Sequence, residues 1–211
     1  MNLILLGKPG AGKGFIADIL KNEYGFYHIS TGALLRKNIA EGTQLGQVAN
    51  GYMAQGELVP NDLVFDMLKD EIGKMKSKNC VFDGYPRSVL QAKSLAGIVN
   101  IDSVLFVDVP DDILIERVLS RKTCLACGNL SEIGQKDTVC KKCGGELVTR
   151  ADDNLEVVTN RLNVYNESTA PLKEFYADKI VVLDNSGSVE QTKQKLNQII
   201  SDLLKKYGEN I

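Results

Sequence analysis

The sequence predicts an α/β fold in which helices flank a parallel sheet of five strands. Three observations carry that prediction. Short apolar runs, mostly four to six residues long, alternate with helical patterns along the chain. The runs are Leu-rich or β-branched and end in turn or polar residues, as strands buried on both faces do. The first run leads directly into a glycine-rich turn and then a helix. Strands alternating with helices pair in parallel, because the helices supply the right-handed crossovers.

In chain order, the first strand covers 2–6 and is followed by a helix over 13–24 and a fainter strand at 27–29. Two short helical patterns, 32–41 and 44–55, come before Pro60. A helix over 61–77, a strand at 80–83, a helix over 88–99, a strand at 104–109 and a helix over 111–120 continue the alternation. After a Gly-, Cys- and Lys-rich stretch at 122–150 come a helix over 154–168, a strand at 180–184 and a helix over 189–206. The Leu and Ile stripe of that last helix reads as core packing. Loops in α/β units usually take ~2–6 residues, so the segments near 30–59 and 121–158 read as inserted subdomains. The core is then assigned to 1–29, 60–120 and 159–211.

Composition excludes several function classes. Of 211 residues, 44% are hydrophobic and 25% charged, the usage of a globular chain that can bury its own core. The 25 Lys and Arg against 27 Asp and Glu leave a net charge of −2, which argues against a net-basic nucleic-acid or membrane-surface binder. No apolar run approaches the ~20 residues of a membrane span. The first residues enter an apolar strand without a basic start or a small-residue cleavage site, so no signal peptide is read and a cytoplasmic location is expected.

Gly7-Lys8-Pro9-Gly10-Ala11-Gly12-Lys13-Gly14 has the G-x4-G-K form of a phosphate-binding P-loop, between a strand and a helix. Glycines permit the positive-φ turns that aim successive amides into one concavity. The helix N-terminus adds partial positive charge there, and Lys13 adds a point charge for phosphate oxygens. Gly14 stands where the general pattern has Ser or Thr, so the usual hydroxyl ligand for Mg2+ is absent. Asp83, closing the 80–83 strand, is the carboxylate best placed to hold that ion directly or through water.

Four of the five cysteines lie in a 20-residue window, as Cys124-x2-Cys127 and Cys140-x2-Cys143. That spacing matches a closed four-thiolate Zn2+ site with a structural role. Reduced unliganded thiols and a nucleic-acid-binding zinc ribbon are the competing readings. Lys136, Lys141 and Lys142 make the segment basic, but no aromatic residue is interleaved for base stacking. Cys80 reads as a small core residue and His28, the single histidine, as structural.

Further motifs give the chain a family likeness. Besides residues 7–14 these are Ser30-Thr31-Gly32 with Arg36, Gly56-Glu57-Leu58-Val59-Pro60, and Asp83-Gly84-Tyr85-Pro86-Arg87 with Gln91. Arg117-x3-Arg121, Arg150-x-Asp152-Asp153 and Arg161-Leu162 follow, in order and at matching spacing from residue 1 to about 185. Together they resemble the adenylate kinases of the long, zinc-containing bacterial type. The resemblance implies Mg2+-dependent phosphoryl transfer from ATP to AMP by a monomer, with an AMP-binding insert at 30–59 and a zinc lid at 121–158. It implies ATP contacts from Gly10, Ala11, Gly12, Lys13, Gly14, Phe15, Arg117 and Arg121. AMP contacts would come from Thr31, Arg36, Glu57, Leu58, Val59, Gly84, Tyr85, Pro86, Arg87, Gln91, Arg150 and Arg161. Lys13, Arg87, Arg121, Arg150 and Arg161 would be the catalytic cations, since such a transfer needs positioning and charge neutralisation more than covalent chemistry.

Three departures from the family pattern bear on rate. Phe15 replaces the usual Thr and removes a hydroxyl near the α-phosphate, while Ala33 replaces an Asp near the metal. The segment between the cysteine pairs is short and puts Leu130 and Ser131 where an aromatic contact to adenine is expected. Two alternatives therefore stand beside the leading reading. One is a kinase for another nucleoside monophosphate, and the other a catalytically weakened nucleotide sensor or adaptor.

Overall fold

A computed structural model of the chain describes residues 1–75, 79–131 and 137–207. The strands are β1 (Asn2–Leu6), β2 (Tyr27–Ser30), β3 (Cys80–Asp83), β4 (Ser103–Asp108), β5 (Thr123–Cys124), β6 (Leu147–Val148) and β7 (Ile180–Asp184). The helices are α1 (Lys13–Tyr24), α2 (Thr31–Ala40), α3 (Gln44–Gln55), α4 (Asn61–Gly73), α5 (Val89–Ala96), α6 (Asp111–Leu119), α7 (Leu155–Val164), α8 (Leu172–Phe175) and α9 (Val189–Tyr207).

Five strands form the expected parallel sheet, in the order β2-β3-β1-β4-β7. Side chains alternate across a strand, and β1 shows the consequence. Ile4 and Leu6 enter one core layer with Phe82, Leu95 and Phe106, whereas Leu3 and Leu5 enter the other with Ile16, Leu20 and Leu196. Leu196, Ile200 and Leu203 of α9 are buried, so that stripe is core packing. Cys80 is also fully buried, and desolvation pushes its thiol up to about 12. Among the described residues, no helix is long and apolar enough to cross a membrane.

From central β1, the next crossover leads outward to β2, while the chain leaving β3 passes back over to β4 on the other side. Ligands of open α/β sheets bind outside the carboxyl ends of strands at such a switch point. Gly7, Thr31, Gly84, Val109 and Asn185 each lie just past a strand end there.

Several boundaries move for identifiable reasons. Ser88 caps α5 instead of belonging to it, its hydroxyl accepting from the Gln91 amide at 3.3 Å. α4 ends at Gly73, and the expected last turn at 76–77 lies outside the described residues, as does Lys136 of the cysteine segment. The helix expected over 154–168 is α7, capped by Asn154 and running into a π-helical turn at Tyr165–Thr169. β5 and β6 pair antiparallel in the cysteine segment, over a small cluster of Cys124, Cys140 and Leu147.

Candidate active site

The glycine turn behaves as its composition dictates. Gly10 and Gly12 sit at φ 87° and 89°, left-handed values that a side chain would strain. Lys13 folds back across the turn, its Nζ donating to the carbonyls of Gly7 at 2.6 Å and Lys8 at 2.9 Å. Burial drives its pKa down to about 8 against the pull of Asp83, and Arg87, Arg161 and Arg121 lower it further. Phe15 packs against the core layer beneath α1.

Those arginines belong to one cluster. Arg36 is depressed by burial and feels Arg121 and Arg161. Arg87 falls to about 10 by burial and Arg161, and Arg150 to about 9 by burial, Arg36 and Arg121. Lys13, Arg36, Arg87, Arg121, Arg150 and Arg161 thus face Asp83, Asp152 and Asp153, an excess of three positive charges. Asp153, whose side chain is 0% exposed, takes both Nε (2.9 Å) and Nη2 of Arg121 and accepts from Arg161 at 3.4 Å. Arg161 also reaches Asp152 at 3.3 Å, while Arg150 Nε donates to the Thr123 hydroxyl at 2.8 Å.

Asp83 closes β3 beside Lys13. Burial alone would raise its pKa, but His28, Lys13 and Arg87 hold it below the usual carboxylate range. An ionised carboxylate here fits the ligand expected for Mg2+ through water. His28 is half-buried, and its buried Nε2 lies 3.6 Å from Asp83 Oδ2.

A cavity opens between α2 and the strand ends. Thr31, Arg36, Glu57, Leu58, Val59, Gly84, Arg87, Gln91 and Arg161 of the expected acceptor set line it, with Asp152. Tyr85 and Pro86 are buried residues that do not line it, and Arg150, also of that set, does not line it either. Arg87 is fixed at its backbone from both sides, its N–H donating to Gln91 Oε1 at 2.7 Å and its carbonyl accepting from the Thr169 hydroxyl at 2.8 Å. Thr169 closes the π-helical turn, a local form common at functional sites. Arg117 donates to the Asn185 carbonyl at 2.9 Å.

The four sulfurs of Cys124, Cys127, Cys140 and Cys143 lie within 4.8 Å of one another. Cys124 and Cys143 are 3.5 Å apart, and Cys127 and Cys140 3.7 Å. Tetrahedral zinc with ~2.3 Å bonds to sulfur sets sulfurs about 3.8 Å apart, so the cluster fits a structural zinc. The backbone amide of Cys127 pulls the Cys124 thiol down, toward the thiolate a metal needs, while bonds to the neighbouring sulfurs push Cys143 up. Leu130, in the same segment, approaches the phosphate loop, its Cδ1 3.4 Å from where a Cβ on Gly14 would stand.

In the sequence Asp152 and Asp153 stand only as parts of a motif, although carboxylates beside Arg150 are a usable signal. Thr169 carries no local signal, since its partner lies 82 residues away.

A family model described as adenylate kinase matches residues 5–181. An adenylate kinase of Clostridium tetani (strain Massachusetts / E88) is 42% identical over 214 residues, covering 97% of this chain and 98% of the relative. One from Methanosarcina acetivorans is also 42% identical, over 213 residues, covering 95% of this chain and 99% of the relative. One from Hydrogenobaculum sp. (strain Y04AAS1) is 40% identical over 211 residues, covering 95% and 100%.

Asp153→Asn keeps the shape of the buried side chain and removes its charge. Stability should fall by roughly 1–3 kcal/mol, less than for a fully buried pair because both arginines keep some solvent contact. Thermal melting without nucleotide checks this, and an unchanged melting temperature would contradict the role assigned to Asp153.

Proposed function

We infer the roles of the residues from one premise: this chain belongs to the adenylate kinase family. It is a phosphotransferase that interconverts ATP plus AMP with two ADP. The convergence of six cations on the carboxyl edge of the sheet carries the assignment of roles. An oxygen of the AMP phosphate attacks the γ-phosphorus of ATP, the bond to the β,γ-bridging oxygen breaks, and ADP leaves. The nucleophile is already an anion, so no general base is required.

In this reading the loop amides of Gly10 to Phe15 and the Lys13 ammonium hold the ATP phosphates, and Arg117 and Arg121 complete that side. Arg36 and Arg87 clamp the AMP phosphate, with Thr31, Glu57, Leu58, Val59, Gly84 and Gln91 around the nucleoside. Tyr85 and Pro86 support that wall from the core. Arg121, Arg150 and Arg161 leave Asp152, Asp153 and Thr123 to take charge that spreads over the transferring group. Planar guanidinium forks suit this task because they bind phosphate oxygens in pairs. Asp83 is the residue that would hold Mg2+ through water, and the ion would neutralise β- and γ-phosphate oxygens.

The insert at 30–59 and the lid at 121–158 are assigned to AMP and ATP respectively, over a core of 1–29, 60–120 and 159–211. Their closure excludes water, which would otherwise accept the phosphoryl group. Zn2+ held by the four cysteines gives the lid the rigidity its small apolar cluster lacks. A reducing cytoplasm suits those thiols, and the chain is read as a monomer there.

A coupled assay with ATP should show turnover on AMP within the ~1–100 s⁻¹ range of kinases. GMP, CMP and UMP should each be at least about tenfold poorer acceptors, the factor that one missing contact supplies. A faster reaction with another monophosphate would reassign the acceptor, and negligible turnover on all four would favour a nucleotide sensor. Removing zinc with a chelator, or making Cys140→Ala, should lower the melting temperature by several degrees and leave the rate at low temperature within a few-fold. Collapse of the rate in a folded protein would contradict a structural metal.

A further inference from the structure

We propose that Asn185 is a positioning residue for the ATP side of the site, holding the phosphate loop and Arg117 in one register. The inference rests on residues 7–14 being the ATP phosphate loop, as read above. Asn185 follows β7 at the carboxyl edge of the sheet and is only 7% exposed. Its Nδ2 donates to the Ala11 carbonyl at 2.8 Å, and its Oδ1 accepts from the Thr192 hydroxyl at 2.8 Å. Its backbone N–H donates to Asp108 O at 2.9 Å, and its backbone carbonyl accepts from Arg117 Nη1 at 2.9 Å. One residue therefore ties the phosphate loop to the ends of β4 and β7, to α6 through Arg117, and to α9 through Thr192.

The orientation of the amide follows from its partners. A backbone carbonyl only accepts, so the atom facing Ala11 is the nitrogen, and the oxygen is left to take the Thr192 hydroxyl. The bond to Ala11 matters because of peptide geometry. The peptide joining Ala11 to Gly12 is planar and trans, so its N–H points away from its C=O. Holding the Ala11 carbonyl from behind aims the Gly12 amide away from Asn185, as an amide that cradles phosphate must be aimed. Gly12 also rests directly on the asparagine: a Cβ there would stand 2.4 Å from Nδ2. Nothing in the local sequence announces this, because the contact spans 174 residues.

Binding of ATP alone and of AMP alone, each measured by calorimetry, separates positioning from general support of the fold. Asn185→Ala loses the bond to Ala11 and should weaken ATP about tenfold, the equivalent of one buried hydrogen bond, with AMP within about twofold. Thr192→Val keeps the shape of α9 and frees the amide to turn, so ATP should weaken about threefold. It also keeps the question answerable if Asn185→Ala fails to fold. Equal weakening of both nucleotides, or unchanged ATP binding with only a lower melting temperature, would overturn the proposal. Failure of the unaltered protein to bind ATP would overturn the reading of the loop itself, and this inference with it.

Discussion

Like charges repel, and this protein gathers six cations into one partly buried place. Two unit charges 4 Å apart near a protein surface interact by about 4 kcal/mol at an effective dielectric of 20. Such a cluster survives in the empty protein only if carboxylates offset part of it. Asp83, Asp152 and Asp153 do so, and Asp153 does it from full burial while gripping two arginines. Much of the surrounding architecture follows from keeping those cations apart enough to fold and close enough to share phosphates.

The parallel sheet meets the first half of that requirement. It delivers segments from opposite ends of the chain to one edge, each entering as a strand ends. Lys13 arrives behind β1, Arg36 on the helix after β2, and Arg87 behind β3. The remaining arginines come from beyond α6 and from α7, next to the cysteine segment. In that segment the four cysteines group their sulfurs within 4.8 Å of one another, close enough for one metal ion to tie the chain together there. Anchors hold the parts that must not move: Thr169 and Gln91 fix Arg87, and Asn185 fixes the phosphate loop.

What was legible in the sequence was whatever depends on short spacing. The strand runs, the glycine turn with Lys13, Asp83 at a strand end and the paired cysteines all declare themselves within a few residues. Long-range partnerships did not. The hydroxyl of Thr169 and the amide of Asn185 act on residues 82 and 174 positions away, and neither residue type is unusual at its place. The π-helical turn escaped because apolar spacing over 154–168 fits an ordinary helix equally well. A single imidazole carries no pattern, so only the fold reveals Asp83 at 3.6 Å from His28. Tyr85 and Pro86 belong to a motif whose ends face the cavity, while their own side chains turn inward.

If surplus positive charge is held for two phosphate chains, removing one cation should relieve the empty protein and damage the enzyme. Arg150 is a suitable choice, since it makes no ion pair within 4 Å among the described residues, keeps one hydrogen bond to Thr123, and is pushed down by burial, Arg36 and Arg121. Arg150→Gln should raise the melting temperature of the nucleotide-free protein by about 2–4 °C, the equivalent of roughly 1 kcal/mol in a chain of this size. The same variant should lose at least about a hundredfold in turnover, as enzymes do when a preorganised donor to developing charge is removed. A variant that melts lower than the parent and turns over at the parental rate would contradict the account.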